Sequence, residues 1–599
     1  MSTPAAAAAA RGQRLGPILI LALAVRVLHL SFVATTPVLS YHRIFPASDM
    51  YMFDQWAHRI LAGDVIGRER FHYLYQWQLA TAPVEKWTEW YGRAPTYYKA
   101  PFYPYLVALL ERLFGDPAVP MALLQIAASL AAIVLLYRIA ADAFGDDAAM
   151  WAAFAFALYG PAVHFDALLL RGPWIVLTAL FLTQRLQMLR QRAVVTQALV
   201  TGMAMGALVV VNEGFAPTFV LAAATIGAWA GSWRRALPLL GAFTGGTAGV
   251  LVPIVVRNAV VGAPLFKLAV TGSIVYAVFN TAGASPYFFE IRPQNYLPAI
   301  GAAGGGLVET AIACLRTFDG PWAGVSFYLQ KAIGLLIPWE NPDNVNYYYV
   351  ALRSPILSAL PGYGVLLPLA IVGFAVAAGR RLAALVPLAP ATVSLLTAIL
   401  LTLPLARYRA TLAVFLMPLA GLALAFGVDC IRRRRLAVLS LAIAGFLAVA
   451  SAAAGLQAFV VFAGRPAGLH LYRPAEFELG VRFDEEHGRL GEATREALDL
   501  ARLNPDAWIK AQALLVAGRL EARQGHEAAA REALAGAVVF GSREPGTLLA
   551  AGDLYQQALG DVAAATAAYR AAEALPGPEP VRDEIQRRLR LLEGRAGVK

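Results

Sequence analysis

Residues 119–140, VPMALLQIAASLAAIVLLYRIA, are apolar along almost their whole length. About 20 such residues wound as an α-helix cross the hydrocarbon core of a bilayer. In water the same helix would be hydrophobic all round, with no polar face to turn to solvent. Comparable stretches lie at 17–37, 148–165, 171–189, 195–211, 214–231, 236–256, 356–379, 382–403, 410–429 and 436–460. Only helices and closed barrels satisfy their backbone polar groups inside lipid, so the pattern predicts an all-α polytopic membrane helix bundle of about eleven spans. Composition agrees. Of 599 residues, 58% are hydrophobic and 15% charged, and the mean hydropathy is +0.56, which leaves too little polar surface to cover a soluble core.

The net charge of +11 would suggest nucleic acid in a soluble protein, but the basic residues collect in short loops between apolar runs, which is the signature of membrane orientation. Nucleic acid is therefore not an expected partner. Arg11 and Arg14 precede the first apolar stretch, which lacks a persuasive cleavage site and reads as an uncleaved span. With residues 1–16 on the cytoplasmic side, alternation places Arg185/Arg190/Arg192, Arg234/Arg235, Arg380/Arg381 and Arg432 to Arg435 there too. The loop with Asp142, Asp146 and Asp147 is an exception, but acids contribute little to orientation. The expected setting is an inner (plasma) membrane of bacterial type. The 17–465 membrane domain then carries two long extracytoplasmic loops, about 39–118 and about 258–355, and the C-terminal domain is extracytoplasmic. Cys314 and Cys430 have neither disulfide-framework nor metal-type spacing.

Long loops at one face are where chemistry is expected. The first is rich in aromatics, Trp56, Trp77, Trp87, Trp90, Tyr91, Tyr97 and Tyr98, which suits short amphipathic helices at the membrane interface. Asp49 and Asp54 follow the first span. A carboxylate there is partly desolvated, which raises its basicity and equips it to take a proton from a hydroxyl; the competing reading is an ordinary acid at a helix N-terminus. Lys99, in Tyr97-Tyr98-Lys99-Ala100-Pro101, stands ready either to meet a lipid-linked phosphate or simply to anchor the interface. Asp166 and Arg171 fall at a span end, as an acceptor-orienting acid with a phosphate-binding cation or as a plain ion pair. Glu213 reads as a capping acid. Arg257, Arg407 and Arg409 reach the same face, where guanidinium groups match phosphate oxygens or snorkel to headgroups. His42, His58, His72 and His164 show no metal-ligand spacing, and Gly301 to Gly306 reads as flexible loop.

The run from Ser48-Asp49 through Trp56-Ala57 to Gly63-Asp64, then Lys99-Ala100-Pro101-Phe102-Tyr103-Pro104 and Leu113-Phe114-Gly115, resembles the first outer loop of GT-C glycosyltransferases. That superfamily includes the protein O-mannosyltransferases of glycosyltransferase family 39 and the lipid A aminoarabinose transferases. Arg257-Asn258 with Gly262 and Phe266, the stretch Ile337-Pro338-Trp339-Glu340-Asn341-Pro342 to Ser354-Pro355, and Arg407-Tyr408-Arg409 ahead of Pro418 extend the resemblance in the expected order. It implies transfer of a sugar from a polyprenyl-phosphate-linked donor to a protein, lipid or glycan acceptor, with Asp49 as the catalytic acid of the first loop and Lys99 on the donor phosphate. The family often has two adjacent acids where Met50 follows Asp49, so a divalent metal is compatible with these residues but not demanded by them.

Beyond about residue 475 the chain turns to Ala-rich amphipathic helices, and Ala517-Gly518 recurs as Ala551-Gly552 after 34 residues, the period of tetratricopeptide repeats. Residues 475–599 are thus expected to form a helical domain of this kind with two helix pairs, binding a protein partner or packing on its own chain. The catalytic residues expected are Asp49, Asp54 and Asp166, and the donor phosphate falls to Lys99, Arg171, Arg257, Arg407 and Arg409. Two other readings fit the composition. One is a transporter or flippase for a lipid-linked or anionic substrate, though inverted repeats are not evident; the other is a non-catalytic scaffold recruiting partners through the tail.

Overall fold

The computed structural model describes residues 4–289, 292–378, 382–462 and 472–596. Among them there is no strand. The chain divides into two compact units, Met1–Phe459 and Val460–Lys599.

Every expected span is helical, but not every helix is of membrane length. Among the described residues, seven are long and apolar enough to cross a membrane, or eight if the bent pair Asp146–Leu158 and Gly160–Asp166 is one span. Among the shorter ones, Val195–Val211 has 17 residues and Thr218–Ala230 has 13. Arg380 and Arg381 lie outside the described residues. The bend of 55° has a local cause, because Pro161 at the start of the second helix removes a backbone donor. The Gly160 N–H finds the Pro361 carbonyl instead, at 3.0 Å. This turn carries Asp166 into the bundle.

Two neighbouring helices, Val195–Val211 and Trp233–Val261, approach backbone to backbone. A Cβ on Gly202 would stand 2.0 Å from the Phe243 carbonyl oxygen, and one on Gly246 would stand 2.1 Å from that of Leu199. Elsewhere, Ala406–Arg432 packs against both Tyr363–Ala378 and Asp146–Leu158.

In the first large loop the short helix Tyr41–Ile44 is followed by the helix Asp49–Leu61, capped by the Ser48 hydroxyl, which accepts from the Tyr51 N–H. This helix packs on Phe102–Phe114, which begins just after Lys99-Ala100-Pro101. Several aromatics expected at the lipid interface are instead the core of the loop: Trp56, Trp87, Tyr91, Tyr97 and Tyr98 are buried. Trp87 donates its indole N–H to the Gln78 carbonyl, so the ring does not need water or headgroups to satisfy its polar end. In the second large loop, Gly301 lies inside the helix Pro293–Ala303, and the expected flexible run shrinks to a turn at Gly304 and Gly305, both with positive φ.

Among the described residues, the C-terminal unit contains three consecutive helix pairs and a last helix, Glu579–Ala596. Pro474–Glu486 with Leu490–Leu503 precedes the two pairs expected, Ala507–Arg523 with Glu527–Phe540 and Pro545–Ala558 with Val562–Glu573. The recurring glycines sit at close helix approaches, Gly518 against Leu534 and Gly552 against the Tyr569 ring.

Candidate functional site

Asp49 is the first residue of its helix and is buried. Its carboxylate is the centre of a cluster drawn from four regions of the chain. Lys99 Nζ lies 2.7 Å from Oδ1 and Arg407 Nη1 lies 2.5 Å from Oδ2. The Tyr75 hydroxyl donates to Oδ1, and the backbone N–H of Asp49 donates to Asn344 Oδ1. Arg407 Nε is 2.6 Å from Asp343 Oδ2, so that guanidinium spans two acids. One step further out, Arg171 pairs with Glu213 at 2.9 Å, and the same Glu213 oxygen accepts the Ala100 N–H at 3.1 Å, next in sequence to Lys99.

Burial by itself would raise the Asp49 pKa, but the adjacent Lys99 and Arg407 outweigh it and hold the carboxyl well below its ordinary value. The sequence-based expectation of a carboxylate made more basic by the membrane surface is therefore reversed: two cations stabilise the charged form more than desolvation penalises it. Lys99 is lowered, first by burial and further by Arg407 and Arg171, with Asp49 opposing. Glu213 would likewise be raised by burial, yet Arg171 and its hydrogen bonds hold it down.

The other expected site residues lie elsewhere. Asp166 is not paired with Arg171. It is buried in the bundle with Arg26 Nε 2.6 Å from Oδ2 and the Ser129 hydroxyl 2.6 Å from Oδ1, an arrangement set by the 55° break in its span. Arg409 is buried against Glu340 at 2.9 Å and donates to the Ile337 and Trp339 carbonyls. Its neighbour Arg407, two residues earlier at the start of the same helix, points the other way along the turn and reaches Asp49. Arg257 fastens the end of its span to the first loop. It donates to the Ile66 carbonyl at 2.7 Å and to that of Gly67, and stacks 4.0 Å over the Tyr97 ring. Glu213 is not the cap of its turn, since Asn212 accepts the Gly214 N–H there.

Asp54, five residues beyond Asp49, faces a different group. It is buried beside His42, His58 and Glu111, and burial lifts its pKa to about 6, with His58 opposing and Glu111 reinforcing. The sequence contained a signal for this cluster, an acid and a histidine four apart in Asp54…His58, but a search for paired histidines passes over it. Tyr75, Asp343 and Asn344 were also missed. Asp343 and Asn344 directly follow the Ile337–Pro342 stretch, whereas Tyr75 is one aromatic among many in its loop. Arg26 and His29 carried a plainer signal: ionisable groups inside a spanning segment are costly unless partnered.

The chain is similar to several solved structures. One is the crystal structure of ArnT from Cupriavidus metallidurans bound to undecaprenyl phosphate, at 14% identity, covering 94% of this chain and 82% of that one, with a TM-score of 0.37. Others are the archaeal oligosaccharyltransferase AglB from Archaeoglobus fulgidus with an inhibitory peptide and a dolichol-phosphate (15% identity, 69% and 55% covered, TM-score 0.28), and the oligosaccharyltransferase of that organism with Zn and sulfate (17%, 59% and 44%, 0.30). The chain spans about half the length of the oligosaccharyltransferases it matches. No protein-family model matches the chain, and neither does a curated sequence.

Proposed function

We propose that the protein is a membrane glycosyltransferase that moves a sugar from a polyprenyl-phosphate-linked donor to an acceptor hydroxyl on the extracytoplasmic side. The observation that carries this reading is the sharing of one carboxylate, Asp49, between Lys99 and Arg407. Counting Arg171, Asp343 and Glu213, the cluster has three cations and three carboxylates. An incoming phosphate therefore competes with Asp49 for its cations rather than finding them free.

That competition supplies a sequence of events. The donor phosphate draws Lys99 and Arg407 toward its oxygens, with charge-assisted hydrogen bonds replacing those to Asp49. Asp49 loses the two charges that depress its pKa and regains basicity beside the acceptor. It then takes the acceptor proton while the hydroxyl oxygen bonds to the anomeric carbon, and the bond from that carbon to the phosphate oxygen breaks with inversion. Lys99 and Arg407 hold the charge that develops on the departing polyprenyl phosphate. Asp49 is in this way quiet in the resting enzyme and active only when a phosphate is bound.

Asp54, Asp166, Arg257 and Arg409 have no part in the reaction under this reading, while Arg171 sets the charge around Lys99. The helix pairs of the C-terminal unit are proposed to be a tetratricopeptide-like partner-binding domain. Mass spectrometry of cell-envelope glycans, lipids and proteins from cells with and without the intact gene tests the proposal: the expected result is the loss of one sugar modification, with its polyprenyl-linked donor accumulating. An unchanged envelope and donor pool would overturn it.

A further inference from the structure

Asp54 is buried with 0% of its surface exposed, and neither of its carboxylate oxygens has a hydrogen-bond partner. Buried carboxylates are not left in that condition without cause. The groups around it are equally incomplete. His42 Nδ1 stands 2.8 Å from the Leu39 carbonyl oxygen, an acceptor only, which makes Nδ1 the protonated nitrogen and leaves a lone pair on Nε2. That Nε2 is buried and unpartnered, 3.9 Å from Asp54 Oδ1 and 3.7 Å from Asp116 Oδ1. An acceptor thus faces acceptors with no donor between them. His58 Nδ1 is 3.5 Å from Asp54 Oδ2, His58 Nε2 is 2.8 Å from Glu111 Oε1, and the other Glu111 oxygen is again buried and unpartnered.

We propose that Asp54, His58 and Glu111, with His42 as the fourth ligand, form a binding site for zinc or a divalent metal of the same ligand preference. One ligand atom from each of the first three lies within 4.8 Å of the others. Donors around a tetrahedral zinc with bonds of about 2.0–2.1 Å stand roughly 3.3 Å apart, close to the 3.5 Å and 3.9 Å separations found here. Imidazole and carboxylate together favour zinc over magnesium or calcium, which take all-oxygen shells. The backbone carbonyl holding His42 Nδ1 is the outer support that metal-bound histidines ordinarily have. The Arg43–Asp116 ion pair, 3.4 Å, closes the rim.

The site is separate from the Asp49 cluster. Among the described residues, none of its side chains bonds to Asp49, Lys99 or Arg407. Its ligands nevertheless come from three helices, Tyr41–Ile44, Asp49–Leu61 and Phe102–Phe114. The second begins at Asp49, and the third begins just after Lys99. Phe53, beside Asp54, packs edge-on against Tyr103 at 4.8 Å and lies under the Lys99 ammonium at 5.8 Å. A metal here is a clamp that fixes the spacing of Asp49 and Lys99, and its ligands are positioning residues.

The test uses the full chain purified in detergent without a polyhistidine tag, stripped with a chelator and titrated with zinc chloride against a chelating dye, with metal content read by elemental mass spectrometry. The expected result is one zinc per chain in the wild type, a rise in thermal midpoint on adding zinc, and at least a tenfold loss of affinity with no midpoint rise in Asp54→Asn and His58→Gln. His58 is half exposed, so its replacement leaves a folded protein even if Asp54→Asn does not. Wild-type protein that takes up no stoichiometric zinc, or a monodisperse His58→Gln protein that binds as tightly as wild type, overturns the proposal. Wild type that ignores zinc but gains stability below about pH 6 would mean that a shared proton occupies the cluster, and it also overturns it.

Discussion

Arg407 Nη1 stands 2.5 Å from Asp49 Oδ2 across 358 residues of sequence, joining the helix Asp49–Leu61 of one large loop to the start of a spanning helix near the end of the membrane unit. With Lys99 on the other oxygen, the carboxylate is held from both sides.

Asp49→Asn keeps the side chain's shape and removes its charge. Sugar transfer from a lipid-linked donor is expected to fall by about 100-fold or more, the usual worth of a positioned base. The detergent-purified protein should stay monodisperse, because Arg407 retains Asp343. Full transfer by this variant would take Asp49 out of the chemistry.

Lys99→Met and Arg407→Gln are expected to weaken binding of polyprenyl phosphate by roughly 10-fold or more each, as loss of a charge-assisted hydrogen bond does. Arg257→Met is the control. Its guanidinium is engaged by the Ile66 and Gly67 carbonyls, so native mass spectrometry should find lipid-phosphate binding unchanged for whatever fraction folds.

The pH profile follows from the same cluster. Lys99 is held below the ordinary lysine value of 10.5, so activity should fall as the pH rises through that lowered value and the ammonium loses its charge. Lys99→Arg should carry the alkaline limb upward. Asp49 is held below 3.8, so its contribution to stability is complete above its unfolded value and lost only as the pH falls through the folded one. An alkaline limb unmoved by Lys99→Arg would assign it to another group.

Arg409→Met and Asp166→Asn test residues expected on sequence grounds to act on substrate. Each leaves a buried partner, Glu340 or Arg26, without its counter-charge, which costs about 3–5 kcal/mol. Thermal unfolding in detergent should show the loss, while the folded fraction binds lipid phosphate as the wild type does.

The apolar helices, and the residues that gather as Asp49, Lys99 and Arg407, were legible because each has a one-dimensional signature: apolar length, an acid directly after a span, a cation before a proline, an arginine opening a helix. The difference between Arg407 and Arg409 was not, since two residues along a helix turn one side chain toward the loop and the other into the bundle, and sequence does not say which. Nor was the reversal of Asp49's basicity, because Lys99 and Arg407 lie 50 and 358 residues away and a pKa depends on neighbours in space. The partner of Asp166 was not legible for a related reason. The nearest cation in sequence, Arg171, is not the nearest in space, and its true partner Arg26 sits within an apolar run where only its cost to the membrane gave it away.

The backbone contact of Gly202 with Phe243 and of Gly246 with Leu199 has a mechanical consequence. With no side chain at 202 or 246 to swing aside, and the Thr247 hydroxyl donating across the seam to the Gly202 carbonyl at 3.0 Å, the two helices travel as a single plank. Any breathing of the bundle must part it along seams lined by longer residues. Bulky substitutions at 202 or 246 should accordingly register as failed assembly of the bundle, read as loss of monodisperse protein in detergent.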